Sequence, residues 1–169
     1  MRDWKARPRV VRLVQEERSM AIEREELAEF VPHRGKMFII DRIVDASTSD
    51  WTIESETKIT PDFMFFDKRV GGVPNYVCFE IAAQTISALT GLYTREKGLE
   101  PNMGFILSVS DMHFDFDFLK SGQTVRAKAV REAALDTVHS FRATLFVDGT
   151  EAGCGKLTVV EVVGDALGR

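Results

Sequence analysis

Residues 74 to 95, PNYVCFEIAAQTISALTGLYTR, would place apolar side chains on every side of a helix. Val77, Ile81, Gln84, Thr85, Ala88 and Leu92 recur at three- and four-residue steps, and Phe79, Ala82, Ala83, Ile86 and Leu89 make the opposite side apolar as well. A helix without a polar face has to be enclosed on all sides. This is the one long helix the chain offers, so what encloses it must be sheet. Pro74 suits the first helical position, where its missing N–H would have had no acceptor, and Lys97-Gly98 supplies the stop.

The remaining segments read as strands. WTIESETKIT puts Trp51, Ile53, Ser55, Thr57 and Ile59 on one face and Thr52, Glu54, Glu56 and Lys58 on the other, the two-residue period of a half-buried strand. MFIIDRIVDAS runs apolar and then alternates. GFILSVSDMHFDFDF, TVRAKAVREAA, TVHSFRATLFVDG and GCGKLTVVEVV are rich in β-branched and aromatic residues, with turns at Lys120-Ser121-Gly122 and Asp148-Gly149. Ahead of them EREELAE, Glu23 to Glu29, reads as a short helix ended before Pro32. Residues 61 to 72 are irregular, with Phe63, Phe65 and Phe66 as apolar anchors and Gly71-Gly72 as a break. The expected fold class is α+β: an antiparallel sheet wrapped around one long central helix.

At 169 residues the chain fits one domain able to bury about two-thirds of the surface its unfolded form exposes. Residues 1 to 20, with six Arg or Lys, differ in composition and read as a basic extension, leaving 21 to 169 as the domain. A net charge of -4 with mostly Phe among the aromatics argues against a nucleic-acid partner. No apolar run reaches the roughly 18 to 20 residues of a membrane span, and no signal-peptide pattern opens the chain, so a soluble, cytoplasmic protein is expected. Cys78 and Cys154 have no His or Cys at ligand spacing, which points to reduced thiols rather than a metal site or redox pair.

Three motifs stand in order. VPHRGKMFIIDRI (Val31 to Ile43) has an apolar residue, Pro-His-Arg, apolar residues and then Asp-Arg-Ile; VPNYVCFEIAAQ (Val73 to Gln84) has an apolar-Pro pair, then Glu, then Ala-Gln. GFILSVSDMHFDFDFLKSGQTVRAKA (Gly104 to Ala129) has Ser121-Gly122-Gln123 at its turn. Over about residues 30 to 163 the chain resembles the hotdog fold, and within it the 3-hydroxyacyl-acyl-carrier-protein dehydratases of type II fatty-acid synthesis, whose turn is usually Pro-Gly-Asp. Pro-His-Arg-Gly together with Gly-Gly-Val-Pro resembles a subgroup associated with aryl-polyene-type pathways. The resemblance implies conversion of 3-hydroxyacyl thioesters to trans-2-enoyl thioesters, with acyl-carrier protein or acyl-CoA as the thioester carrier. It also implies no metal or nucleotide cofactor, and a homodimer or oligomer of dimers paired side by side with active sites between protomers. One departure stands out: the family carries its catalytic histidine in a Gly-His-Phe-Pro loop before the helix, and counting back from Glu80 puts Phe66 there.

Such a dehydration needs a base for the α-proton, an acid for the leaving hydroxyl and donors for the enolate-like oxygen. Glu80 is the only carboxylate between Lys68 and Arg95, on an otherwise apolar helix, and is the candidate acid. His33 is the candidate base, the alternative being a clamp that hydrogen-bonds backbone at the start of a strand. His113 and His139 read as structural. Gly71, Gly72 and Val73 precede the helix and would let a thioester approach free backbone N–H groups near Val73 and Asn75. Gln84, one turn after Glu80, either orients it or closes a dimer contact. Phe63, Phe65, Phe66 and Phe105 line either core or an acyl tunnel. Two other functions stay open: a catalytically silent subunit that binds acyl chains or partners an active dehydratase, and an acyl thioesterase on the same fold.

Overall fold

The computed structural model describes residues 21–100 and 103–162. In chain order the elements are β1 (Ile22–Glu23), α1 (Arg24–Leu27), β2 (Arg42–Ser47), β3 (Thr52–Lys58), β4 (Gly72–Pro74), α2 (Val77–Lys97), β5 (Met103–Phe114), β6 (Phe118–Lys120), β7 (Thr124–Leu135), β8 (Val138–Val147) and β9 (Thr150–Val162). A single 3-10 turn, Gly35–Met37, lies between α1 and β2. Seven strands form one antiparallel sheet in the order β1-β2-β3-β7-β8-β9-β5, and β4 pairs with β6 beside it.

The sheet curls around α2. Ile81, Ala82, Ile86, Ala88 and Leu89 are buried along the helix, and each large aliphatic side chain among them contributes about 1.5–3 kcal/mol by leaving water. The facing strands are lined with small residues. Ala129 pairs with Ala143 and Ala143 with Gly155, so a row of short side chains crosses three strands beside Ile53 of β3. That row lets a helix of ordinary girth sit in the concave face of the sheet. Of the polar residues on the inner side of β3, Ser55 finds a partner and the Thr57 hydroxyl does not: Ser55 and Thr85 share a hydrogen bond of 2.6 Å, and Thr85 Oγ1 donates to Ile81 O at 2.7 Å. Cys78 is fully buried in the same layer, and burial pushes its thiol up to about 12.

The alternation expected for WTIESETKIT is present, with Ile53, Ser55, Thr57 and Ile59 buried. The helix boundaries differ from expectation by a few residues. Pro74 is not the first helical residue; it ends β4, opposite Phe118, and the helix starts at Val77. The pairing of Gly72–Pro74 with β6 holds these residues extended and delays the helix by most of a turn. At the other end Gly98 adopts φ 62° and its N–H bonds to Arg95 O, a left-handed stop that carries α2 to Lys97. The helix expected over Glu23 to Glu29 is shorter, because Glu23 pairs with Arg42 in the sheet. The basic extension, residues 1 to 20, lies outside the described residues. No helix among the described residues is long and apolar enough to cross a membrane.

Among the described residues, β5 has the sheet on one side only. Residues 103 to 111 of it are exposed, including Phe105, Ile106, Leu107 and Val109.

Candidate active site

His33 sits on the irregular segment between α1 and the 3-10 turn, and three features hold that segment in place, two of them on α2. At Gly91 a Cβ would fall 2.7 Å from Phe30 O and 2.9 Å from the Phe30 ring, so only glycine lets the backbone leading to His33 lie on the helix. The Arg34 guanidinium donates to Val31 O and, at 2.8 Å, to His33 O. Gln84 is the third. Fully buried, it donates from Nε2 to Met37 O at 2.7 Å and accepts from Ile39 N–H at Oε1 at 3.0 Å. The orientation of this amide is set by its surroundings, because Ile39 N–H needs an acceptor and Met37 O needs a donor.

The second Nε2 hydrogen of Gln84 goes to Glu80 Oε1 at 2.8 Å. The same oxygen lies 3.5 Å from His33 Nε2. Imidazole and carboxylate are therefore neighbours within a single protomer, partly exposed at 29% and 21%. His33 Nδ1 is buried and has no hydrogen-bond partner. Both residues line a cavity of about 150 Å³ between α2 and the edge of the sheet, together with Phe30, Pro32, Ala83 and Phe105. A base and an acid side by side at a cavity can move two protons on adjacent atoms of one bound molecule.

The other candidates lie elsewhere. Gly71 N–H and Gly72 N–H both donate to Asp67 O, and Asn75 N–H donates to Asp117 O, so the donors expected to be free before the helix are engaged. Val73 is buried opposite Leu119, and a Cβ on Gly72 would lie 2.6 Å from Leu119 O. The glycine there serves the contact between β4 and β6. Phe66 is half-buried against the core with Phe63 and Phe65, away from the lining of the cavity. His113 is exposed and paired with Asp115 at 2.8 Å. His139 is buried, stacked on Trp51 at 5.7 Å and 4.0 Å from Glu161.

The residues that sequence reasoning missed are those lining the cavity from a distance: Phe30, Ser87, Thr90, Thr94, Val159 and Glu161. Their hydroxyls on an apolar helix were the one local signal, since Ser and Thr at positions 87, 90 and 94 share a stripe with Glu80. Glu161 had no local signal, because strand pairing brings it there.

A family model described as ApeP dehydratase matches residues 25–166. The chain belongs to the ApeP-like dehydratase family. Among solved structures, this ApeP-like chain is similar to the dehydratase heterocomplex ApeI:P from Xenorhabdus doucetiae, with a TM-score of 0.77 and 17% identity over 83% of this chain and 93% of that one. A sigma28-regulated virulence protein from Campylobacter jejuni is similar at TM-score 0.61 and 15% identity, over 85% and 91% of the two chains. A hypothetical thioesterase from Streptococcus pneumoniae, solved with coenzyme A, is similar at TM-score 0.51 and 14% identity, over 67% and 80%. At such identities the likeness carries the fold alone, and that fold is the hotdog. No curated protein matches.

Proposed function

We propose that this ApeP-like dehydratase removes water from 3-hydroxyacyl thioesters, with His33 as the base and Glu80 as the acid. The observation that carries the reading is the 3.5 Å approach of His33 Nε2 to Glu80 Oε1 at the cavity. In the reactive state His33 is neutral and Glu80 holds a proton. His33 takes the proton from the α-carbon, and the electron pair of that C–H bond becomes the new double bond. The β-carbon to oxygen bond breaks as Glu80 delivers its proton to the departing hydroxyl, giving water and the enoyl thioester. The pair ends as imidazolium and carboxylate, and one proton passing from His33 to Glu80 restores both. Their contact lets that transfer occur without solvent.

The Gln84 hydrogen bond holds Glu80 toward His33 and leaves its other oxygen for the substrate hydroxyl. Partial exposure of both groups suits a substrate presented on a flexible arm, which supports a carrier-bound or coenzyme-A thioester. Two copies of the chain joined along β5, or this chain joined to a different hotdog subunit, would cover the apolar strand beside the cavity. The second arrangement is favoured as an alternative by the likeness to ApeI:P, a heterocomplex. In that case the chain would support catalysis in a partner.

The test is turnover of a 3-hydroxyacyl-carrier-protein with the product detected by mass. Loss of 18 Da by the purified chain alone supports the reading. Activity appearing only when a second hotdog subunit is added favours the supporting role, and free thiol without the enoyl product favours a thioesterase.

A further inference from the structure

Gln84 holds only one side of the segment that leads from the 3-10 turn into β2. Phe38 is extended there, at φ -83° and ψ 100°, and in an extended chain successive residues turn their backbone groups to opposite sides. Met37 and Ile39 turn theirs toward α2, where Gln84 takes them. Phe38 and Ile40 turn theirs away, and both carbonyls are taken by one side chain of α1. The Arg24 guanidinium donates to Phe38 O and, at 2.8 Å, to Ile40 O, and it lies 4.4 Å from the centroid of the Phe38 ring.

The guanidinium is itself held. Asp41 Oδ1 lies 3.6 Å from it, while Asp41 Oδ2 accepts the Lys58 N–H at 2.7 Å and Asp41 N–H donates to Glu56 O at 2.9 Å. Asp41 therefore ties Arg24 to the end of β3. It opens the Asp-Arg-Ile that closes the first motif, a part of that motif which the His33–Glu80 site leaves unused. Arg24 and Asp41 line an open cleft of about 470 Å³ with Lys36, Phe38 and Lys58, and neither lines the cavity of His33 and Glu80. Arg24 therefore bears on that cavity only through other residues.

We propose that Arg24 is a positioning residue for the reaction: bonded to Phe38 O and Ile40 O, it fixes the segment at the distance from α2 that Gln84 spans, and Gln84 keeps Glu80 toward His33. The chain of contacts is continuous, since one Gln84 Nε2 hydrogen goes to Met37 O and the other to Glu80 Oε1. Without Arg24 the two carbonyls pass to water in the open cleft, the segment is held from one side, and Glu80 drifts with the amide that holds it. The effects on rate rest on the dehydratase reading; the brace itself does not.

Arg24→Ala should lower kcat roughly tenfold to a hundredfold with KM little changed, the effect of a displacement of about 1 Å passed to a reacting group. Millimolar guanidinium, entering the space the side chain vacated beside the cleft, should restore part of the loss, and sodium chloride at equal strength should not. Arg24→Lys, which keeps the charge, should also lose rate, because one ammonium cannot reproduce the fork that spans two carbonyls. It serves where Arg24→Ala fails to fold. Independently of turnover, NMR of the side-chain amides should show the Gln84 Nε2 protons shifted in both variants and returned by guanidinium in Arg24→Ala. Unshifted Gln84 signals, full activity in Arg24→Lys, or a loss confined to KM overturns the proposal, as does rescue by both salts or by neither. Shifted and rescued Gln84 signals in a chain that dehydrates nothing keep the brace and remove the dehydratase reading instead.

Discussion

Gln84 uses every hydrogen-bonding group of its amide: one donor on Met37 O, the other on Glu80, and the acceptor on Ile39 N–H. Replacing it by Leu leaves two backbone groups buried without partners, so Gln84→Leu is expected to lose about 1–3 kcal/mol in chemical denaturation and to release Glu80. For the reacting pair itself, His33→Ala should lower kcat/KM by roughly two to four orders of magnitude, the contribution of a positioned base, with Glu80→Gln similar and both variants folded. Near-normal turnover by His33→Ala would return His33 to the role of a clamp at the start of the sheet. His139 bears on stability instead. Burial holds its folded value below the ordinary 6.5, Arg131 lowers it further, and Glu161 only partly opposes them. The unfolded chain therefore binds the proton first as the pH drops below about 6.5, and stability falls with falling pH in that window. Denaturation midpoints at pH 7 and pH 5 should show the loss, and His139→Phe should flatten it.

The elements meet closely where the segment before His33 crosses α2. Phe30 O and the Phe30 ring occupy the space that a side chain at position 91 would need, with contacts of 2.7 and 2.9 Å to a Cβ built there. A backbone carbonyl cannot swing aside as a long side chain can. Gly91→Ala should therefore push the segment outward, costing about 1–3 kcal/mol as overpacking does and moving His33 away from Glu80. Activity should fall further than stability accounts for at assay temperature, with circular dichroism unchanged. A fully active Gly91→Ala enzyme would mean that the segment is not held by this crossing. The same crossing explains how a site can rest on an irregular segment: glycine below, the Gln84 clasp behind and Arg34 over its own backbone leave Pro32-His33 little freedom.

On the scale of the molecule, β5 is the outstanding feature. Among the described residues no strand pairs with its outer edge, and Phe105, Ile106, Leu107 and Val109 are 39–58% exposed along it. A long apolar edge of this kind invites another strand. Joining the sheets of two chains there would cover Phe105 and Ile106, which line the cavity. Light scattering should then give a dimer for the wild-type chain at micromolar concentration, and Leu107→Lys, which sets a charge in the seam, should give monomer. A wild-type monomer, or a Leu107→Lys dimer, would place the contact elsewhere.

The sequence alone determined what periodicity can carry. Ile53, Ser55 and Thr57 alternate because a strand turns every second side chain inward, and the apolar girth of residues 77 to 95 demanded a wrapped sheet, because no other helix was there to cover it. The family likeness singled out His33, Glu80 and Gln84 by motif. Where the helix begins was decided in three dimensions: β6, more than forty residues downstream, holds Gly72–Pro74 extended against the local preference of Pro74 for a helix start. The cavity was decided there too. Glu161 and Thr94 are 67 residues apart and line one cavity only through the pairing of β9 with its neighbours, an arrangement whose information is spread over every strand of the sheet rather than held in any one stretch of chain.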